Sequence, residues 1–339
     1  MIIVLRPRIS KRDERAVLEE IRKLGYTPHV MRGVARTVIG AIGDELSHAN
    51  LSALSAQFPR VVESVMPIQK RYKLVSREAH PANSTVRVGK HVIGGKKMHV
   101  MAGPCSVESE KQLLKTAEAV KAAGATVLRG GAFKPRTSPY EFQGLGEKGL
   151  KLLAKARKET GLAVITELLS ERHAELVAEY TDIIQIGARN AQNFQLLIAA
   201  AKTGKPVLLK RGLSMKIEEW LLAGEYVLAN ENPNLLFCER GIRTFETYTR
   251  NTLDLSTIPI IKHEAHSPIV IDPSQGAGRA DLVATMCKGA VAMGADALLI
   301  EVHPNPAEAW SDGAQQVTLD GFAKLMKELK PFIAAAGRE

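Results

Sequence analysis

From residue 98 onward the chain repeats one device eight times, a short apolar run followed by a longer segment with helical apolar spacing. The runs are "HVMAG" 99–103, "TVLRG" 126–130, "AVITE" 163–167, "DIIQIG" 182–187, "PVLLKRG" 206–212, "LLFCERG" 235–241, "PIVIDP" 268–273 and "ALLIEVHP" 297–304. Runs this short and this apolar suit strands buried on both faces, as in a parallel sheet covered by helices. Eight βα units between residues 98 and 339 are the count and size of a (β/α)8 TIM barrel. An open doubly wound sheet is the alternative, disfavoured because no GxGxxG turn follows the first run.

The first 66 residues follow a different pattern. Runs 2–5, 28–32, 36–42 and 61–66 read as strands, and 11–24 and 45–57 have helical spacing. That βαββαβ order is ferredoxin-like. The segment 67–84 reads as a linker, 85–97 as a glycine-turned hairpin, and 85–339 as the barrel domain. A chain of 339 residues with 45% hydrophobic content has enough core for one large and one small domain. Its net charge of +10 lies wholly in residues 1–100, which hold 18 Lys and Arg against 8 Asp and Glu; the remainder holds 28 of each. That stretch has no basic run longer than two residues and no strand of base-stacking aromatics, so a solvated basic surface is expected and no nucleic-acid partner. Three unpaired-looking cysteines, a start too charged for a signal peptide and no long apolar span predict a cytoplasmic protein without a membrane partner.

In a barrel of this kind the C-terminal strand ends build the site. In chain order they offer Cys105, Arg129 with "KPRTS" 134–138, Glu167, Arg189, Lys210 with Arg211, Glu239 with Arg240 and Arg243, Asp272 with Ser274 and Gln275, Glu301 with His303, and "SDG" 311–313. So many cations at one mouth, in a domain of balanced charge, call for polyanionic ligands, because Arg and Lys are the side chains that read phosphate and carboxylate. Cys105, Glu301 and Asp312 form a second group. A soft thiolate with two hard carboxylates suits a divalent ion of the Mn, Fe or Zn type, acting as a Lewis acid on a carbonyl. Singly, each of these residues has an ordinary structural role open to it: a buried filler for the cysteine, a salt bridge for the others.

The segments "AGPCSVES" 102–109, "LRGGAFKPRTSPYEFQGLGEKGL" 128–150, "QIGARNAQNF" 185–194, "LLKRG" 208–212, "CERGIRTFE" 238–246 and "EVHPNPAEAWSDG" 301–313 together resemble 3-deoxy-D-arabino-heptulosonate 7-phosphate (DAHP) synthase. The resemblance runs over essentially the whole chain and is closest to the microbial subgroup with an N-terminal ferredoxin-like regulatory domain. It implies the first step of the shikimate pathway: phosphoenolpyruvate condenses with erythrose 4-phosphate and inorganic phosphate is released. By matching motifs, Arg129, Lys134, Arg189, Lys210 and Arg240 would hold phosphoenolpyruvate, while Arg136, Thr137 and Ser138 would receive erythrose 4-phosphate. Lys134, its pKa lowered by neighbouring cations, is the expected proton donor to the aldehyde oxygen, and Glu167 is the second catalytic candidate, close to the phosphoenolpyruvate pocket. A divalent metal (Mn, Fe, Co or Zn) would sit on Cys105, Gln275, Glu301 and Asp312. The family has a histidine where this chain has Gln275, and an amide oxygen is the weaker donor, so a less tightly held ion is expected. His29 is the expected contact for an aromatic amino acid inhibitor, tyrosine or phenylalanine, and a homotetramer is implied.

Two other readings stay open at this point. 3-Deoxy-D-manno-octulosonate 8-phosphate synthase shares the barrel, phosphoenolpyruvate and the EVHP…SDG motifs, but it lacks the N-terminal domain and has an Ala-Asn pair where this chain has Pro135-Arg136. A non-catalytic aromatic amino acid sensor, its barrel kept as scaffold, would account for the departure at Gln275.

Overall fold

The computed structural model describes residues 1–33, 36–43, 48–66 and 71–339. It divides into two compact units, 1–83 with 264–266, and 84–263 with 267–339. The small unit runs β1 (Ile2–Leu5), α1 (Lys11–Lys23), β2 (Thr27–Arg32), β3 (Thr37–Ile42), α2 (His48–Ser52), α3 (Leu54–Gln57) and β4 (Val62–Met66). Its antiparallel sheet has the order β2-β3-β1-β4, the ferredoxin-like topology. Helix α1 starts where Ser10 accepts the Asp13 backbone N–H, with Asp13 and Glu14 in the positive first turn, and it buries Val17 and Ile21 against Ile3, Leu5 and Ile39. The single helix expected over 45–57 is instead two short pieces. Ser55 donates its hydroxyl to the Ser52 carbonyl, a local bond that competes with the helical ladder where the helix breaks. The expected residues 45–47 and the first part of the linker, 67–70, lie outside the described residues.

The large unit opens with a hairpin, β5 (Val86–Val88) and β6 (His91–Ile93), turned at Gly89 with φ +56°. Eight parallel strands then alternate with helices: β7 (His99–Gly103), α4 (Glu110–Ala122), β8 (Val127–Arg129), α5 (Glu147–Thr160), β9 (Ala163–Glu167), α6 (Ala174–Tyr180), β10 (Ile183–Ile186) and α7 (Phe194–Lys202) form the first half. The second half is β11 (Val207–Lys210), α8 (Ile217–Ala229), β12 (Leu235–Glu239), α9 (Thr257–Glu264), β13 (Ile269–Ile271), α10 (Pro273–Ala277), α11 (Ala280–Ala292), β14 (Ala297–Glu301) and α12 (Leu319–Ala335). The strands pair in chain order, and β14 closes on β7 with Ala297 opposite His99 and Glu301 opposite Gly103, which makes a complete barrel.

The barrel interior is filled, not hollow. Met101, Val127, Ile165, Ile183, Leu208, Leu236, Val270 and Leu299 form one buried cluster, and shortening one of the leucines to alanine would cost about 2–5 kcal/mol. Val86, Val88 and Ile93 of the hairpin join the same cluster, so the hairpin plugs the N-terminal end and leaves the C-terminal end for polar groups. Several strands stop short of the apolar runs in the sequence: "PVLLKRG" pairs only over Val207–Lys210 and "PIVIDP" only over Ile269–Ile271. One further ladder bond follows in each, from the Arg211 N–H to the Cys238 carbonyl and from the Asp272 N–H to the Glu239 carbonyl, before the chain turns outward. Gly103 is the last residue of β7, and a Cβ there would collide with the Arg129 carbonyl. Among the described residues no helix is long and apolar enough to cross a membrane.

Candidate active site

The floor of the C-terminal face is set by β7, β8 and β14. Glu301, the last residue of β14, accepts from Arg129 Nη1 at 2.8 Å, and its other oxygen accepts from Gln315 Nε2 at 2.7 Å. Cys105 lies two residues beyond β7; its Sγ is 3.0 Å from Lys134 Nζ and 3.6 Å from Asp312 Oδ2. Cys105, Glu301 and Asp312 bring one ligand atom each to within 4.8 Å of one another. Burial alone would raise the Glu301 pKa, but the charges of Arg129 and Lys134 and the Gln315 hydrogen bond override it and hold the carboxyl at about 2. Burial, then Glu301, push the Cys105 thiol up to about 11, against the pull of Lys134 and Arg129. This donor set fits a divalent ion: two carboxylates, and a thiol that a metal would deprotonate on binding.

Above the floor lies a cleft of about 360 Å³, lined by eight cationic and three acidic side chains. Four of the cations already have carboxylate partners: Arg129 with Glu301, Lys210 with Asp272 at 2.6 Å, Arg136 with Glu141 at 2.9 Å, and Arg250 with Asp312 at 3.4 Å. The other four, Lys134, Arg189, Arg240 and Arg243, have none among the described residues. Two guanidinium nitrogens, Nε of Arg129 and of Arg240, are buried without a hydrogen-bond partner among the described residues. Buried donors of this kind cost free energy until an acceptor arrives, so the cleft is built for anions with several oxygens. Glu167 stands at the end of β9 on the cleft wall, and a Cβ at Gly187 would collide with its carboxylate. Glycine at 187 keeps that acid in place.

Most of the strand-end residues expected at the site reach the cleft or its floor, with corrections at five points. Lys134 is held above, not below, the ordinary lysine value: burial works to lower it and Arg129 adds to that, but Cys105, Glu301 and Glu167 outweigh them. Arg211 does not face the cleft, because the residue after Lys210 points to the other side of the barrel wall, where it pairs with Glu239 at 3.0 Å and Asp254 at 2.9 Å. Ser138 does not line the cleft either; its Oγ accepts the Tyr140 backbone N–H, while Arg136 and Thr137 do reach the wall. His303 is buried behind the floor, 3.2 Å from Glu108. The Gln275 oxygen, expected to face the metal group, accepts instead from Arg240 Nη2 at 2.7 Å. Gln275 sits in the one-turn helix α10, capped by the Asp272 side chain. His29 lies on β2 of the small unit, opposite Gly40.

Sequence reasoning missed Arg250, Gln315 and Gln316. Arg250 donates to Gln315 Oε1 at 2.9 Å, and Gln316 accepts the Cys105 N–H and donates to the Ser311 carbonyl. They tie the loops carrying Cys105 and Asp312 together. The sequence offers only two adjacent glutamines, one residue after "SDG", and nothing for Arg250; the structure buries both glutamines to 2% and 1% exposure.

An eight-stranded barrel with a cation-lined mouth over a thiol and carboxylate group defines a class, the (β/α)8 enzymes that act on phosphorylated, carboxylated small molecules. The profile of the DAHP synthetase I family matches residues 75–335, and that of the DAHP synthase ferredoxin-like domain matches residues 1–70. The chain belongs to the DAHP synthetase I family. It is 49% identical over 337 residues to the phospho-2-dehydro-3-deoxyheptonate aldolase of Thermotoga maritima, covering 99% of both chains. A crystal structure of the DAHP synthase of that organism superposes with a TM-score of 0.79 at 48% identity, covering 100% of this chain and 98% of that one. A truncated form of the Thermotoga enzyme gives a TM-score of 0.74 at 50% identity, over 78% of this chain and 98% of that one. The 2-dehydro-3-deoxyphosphooctonate aldolase of Caulobacter vibrioides is 34% identical, over 74% of this chain and 91% of its own.

Proposed function

We propose that this protein condenses phosphoenolpyruvate with erythrose 4-phosphate to give DAHP and inorganic phosphate, the entry step of the shikimate pathway, in the cytoplasm. The observation that carries the reading is the cleft itself: four cations without carboxylate partners and two orphaned guanidinium nitrogens, directly above Cys105, Glu301 and Asp312. Two substrates with two phosphates, a carboxylate and an aldehyde between them account for both parts. Arg129, Lys134, Arg189, Lys210 and Arg240 hold phosphoenolpyruvate, and Arg136 and Thr137 receive the sugar phosphate. A divalent ion on Cys105, Glu301 and Asp312 supplies Lewis-acid polarisation of the aldehyde.

Arg189 and Arg240 orient the enol so that its C3 faces the aldehyde carbon, which converts a bimolecular encounter into a positioned one. As that bond forms, Lys134, kept protonated by its acidic neighbours, gives its proton to the aldehyde oxygen. Water then adds to C2, Glu167 on the cleft wall is placed to take a proton from it, and phosphate leaves with cleavage of its C–O bond. Arg136 stands on the wall where the chain end of a four-carbon sugar phosphate would lie, which favours erythrose 4-phosphate over the longer arabinose 5-phosphate. The ferredoxin-like unit serves regulation, with tyrosine or phenylalanine as inhibitor and His29 as a contact, in a homotetramer. Phosphate release measured with each substrate alone, with both, and with arabinose 5-phosphate in place of the tetrose tests this. Release that requires phosphoenolpyruvate and erythrose 4-phosphate together supports it; faster release with the pentose would move the protein to octulosonate synthesis, and none with either would leave a sensor.

A further inference from the structure

Gln275 touches both halves of the site. Its Oε1 accepts from Arg240 Nη2 at 2.7 Å, and its Nε2 faces Glu301 Oε1 at 3.4 Å. Glu301 Oε1 in turn accepts from Arg129, so one chain of polar contacts runs Arg240, Gln275, Glu301, Arg129. Arg240 has little else to fix it. Among the described residues its Nε is unpartnered, and Nη1 has only a 3.5 Å contact with the Gly241 carbonyl. The amide edge turned towards the Cys105, Glu301 and Asp312 group is therefore the donor edge, which repels a cation. Rotating the amide by half a turn would set its NH2 against a guanidinium and its oxygen against a carboxylate, losing both contacts. We infer that Gln275 is a positioning residue, holding Arg240 in register for the phosphoenolpyruvate anion, and that the metal ion is held by Cys105, Glu301 and Asp312 without it.

This inference rests on the proposed function and adds a division of labour within it. Glu301 keeps its 2.8 Å bond from Arg129 and its 2.7 Å bond from Gln315 when Gln275 is removed, so the metal group keeps its shape. Arg240 loses its one short anchor. The helix that carries Gln275 is fastened through backbone atoms, the Gln275 N–H to Asp272 Oδ1 and the Gln275 carbonyl to Asn251 Nδ2, so a side chain of similar volume without polar atoms leaves it intact. The test is Gln275→Leu in the full-length protein. Titration calorimetry follows Mn²⁺ alone, then phosphoenolpyruvate alone on metal-free protein, and steady-state kinetics follow.

Loss of a hydrogen bond to a charged group is expected to raise the Kd of phosphoenolpyruvate about tenfold or more, and its KM in step, while the Kd of Mn²⁺ changes less than about threefold and kcat at saturation falls less than KM rises. A Kd for Mn²⁺ raised tenfold or more, as loss of a ligand would give, overturns the inference whatever happens to phosphoenolpyruvate. Unchanged phosphoenolpyruvate binding in the variant also overturns it, while leaving the proposed function standing. Wild-type protein that binds no phosphoenolpyruvate would sink both.

Discussion

Arg189 is the plainest case of a side chain whose surroundings leave its charge for a ligand. It follows β10 in a short turn, lines the cleft, and has no carboxylate partner among the described residues, whereas Lys210 and Arg129 are each tied to an acid. Replacing it with alanine removes a charge-assisted contact from a partly dry site, worth about 2–5 kcal/mol. The expected outcome for Arg189→Ala is a fall in kcat/KM for phosphoenolpyruvate of roughly 30-fold to several thousand-fold, with erythrose 4-phosphate binding much less affected; unchanged phosphoenolpyruvate kinetics would show that the anion sits elsewhere. Arg136→Ala should act in the opposite sense, on the sugar phosphate. Residue types at strand ends made the place of these two on the cleft wall legible from sequence. What sequence could not give is pairing: that Lys210 is neutralised by Asp272, that Arg211 is spent on Glu239, and that the Gln275 oxygen goes to Arg240 are facts of three-dimensional neighbourhood between residues 28 to 62 positions apart.

At the level of elements, the barrel strands were readable because burial on both faces leaves continuous apolar runs, and the ferredoxin-like order because its strands are separated by amphipathic helices. Boundaries and small devices were not. Helix α10 is five residues long, too short to show a period, and exists because Asp272 caps it and Pro273 opens it. The hairpin under the barrel was legible from Gly89, but not its role as a plug, which depends on where the barrel places its lower end. That junction carries a pH dependence. His99, at the start of β7, is buried with its ring nitrogens against the Val92 carbonyl and the Thr126 hydroxyl, and burial, reinforced by the charges of His91, Lys97 and Arg338, lowers its pKa from 6.5 to about 4. Because the folded-state pKa lies below the unfolded one, acid favours the unfolded chain. The contribution of His99 is whole above about pH 6.5 and is lost as pH falls from there towards 4. Urea midpoints taken at pH 7.5 and pH 5 should fall for the wild type by more than for His99→Gln, and equal falls would remove His99 as a cause.

For the whole molecule, the two compact units correspond broadly to the two matched families, but the charge does not divide with them: Arg87, Lys90, Lys96 and Lys97, part of the basic excess of the first hundred residues, belong to the large unit. If the small unit serves only regulation, a chain beginning near residue 70 should keep its turnover and lose inhibition by tyrosine or phenylalanine. Inhibition of equal strength in both forms would put the inhibitor site in the barrel. The central claim is narrower: that the cleft joins phosphoenolpyruvate to erythrose 4-phosphate with the help of an ion held by Cys105, Glu301 and Asp312. Phosphate release from the two substrates together, measured on the purified protein before exhaustive chelation, after it, and after titrating back Mn²⁺, Zn²⁺ or Co²⁺, tests that claim most directly. The account predicts turnover that needs both substrates, disappears on chelation and returns with metal. Full turnover in the chelated, metal-free protein would contradict it.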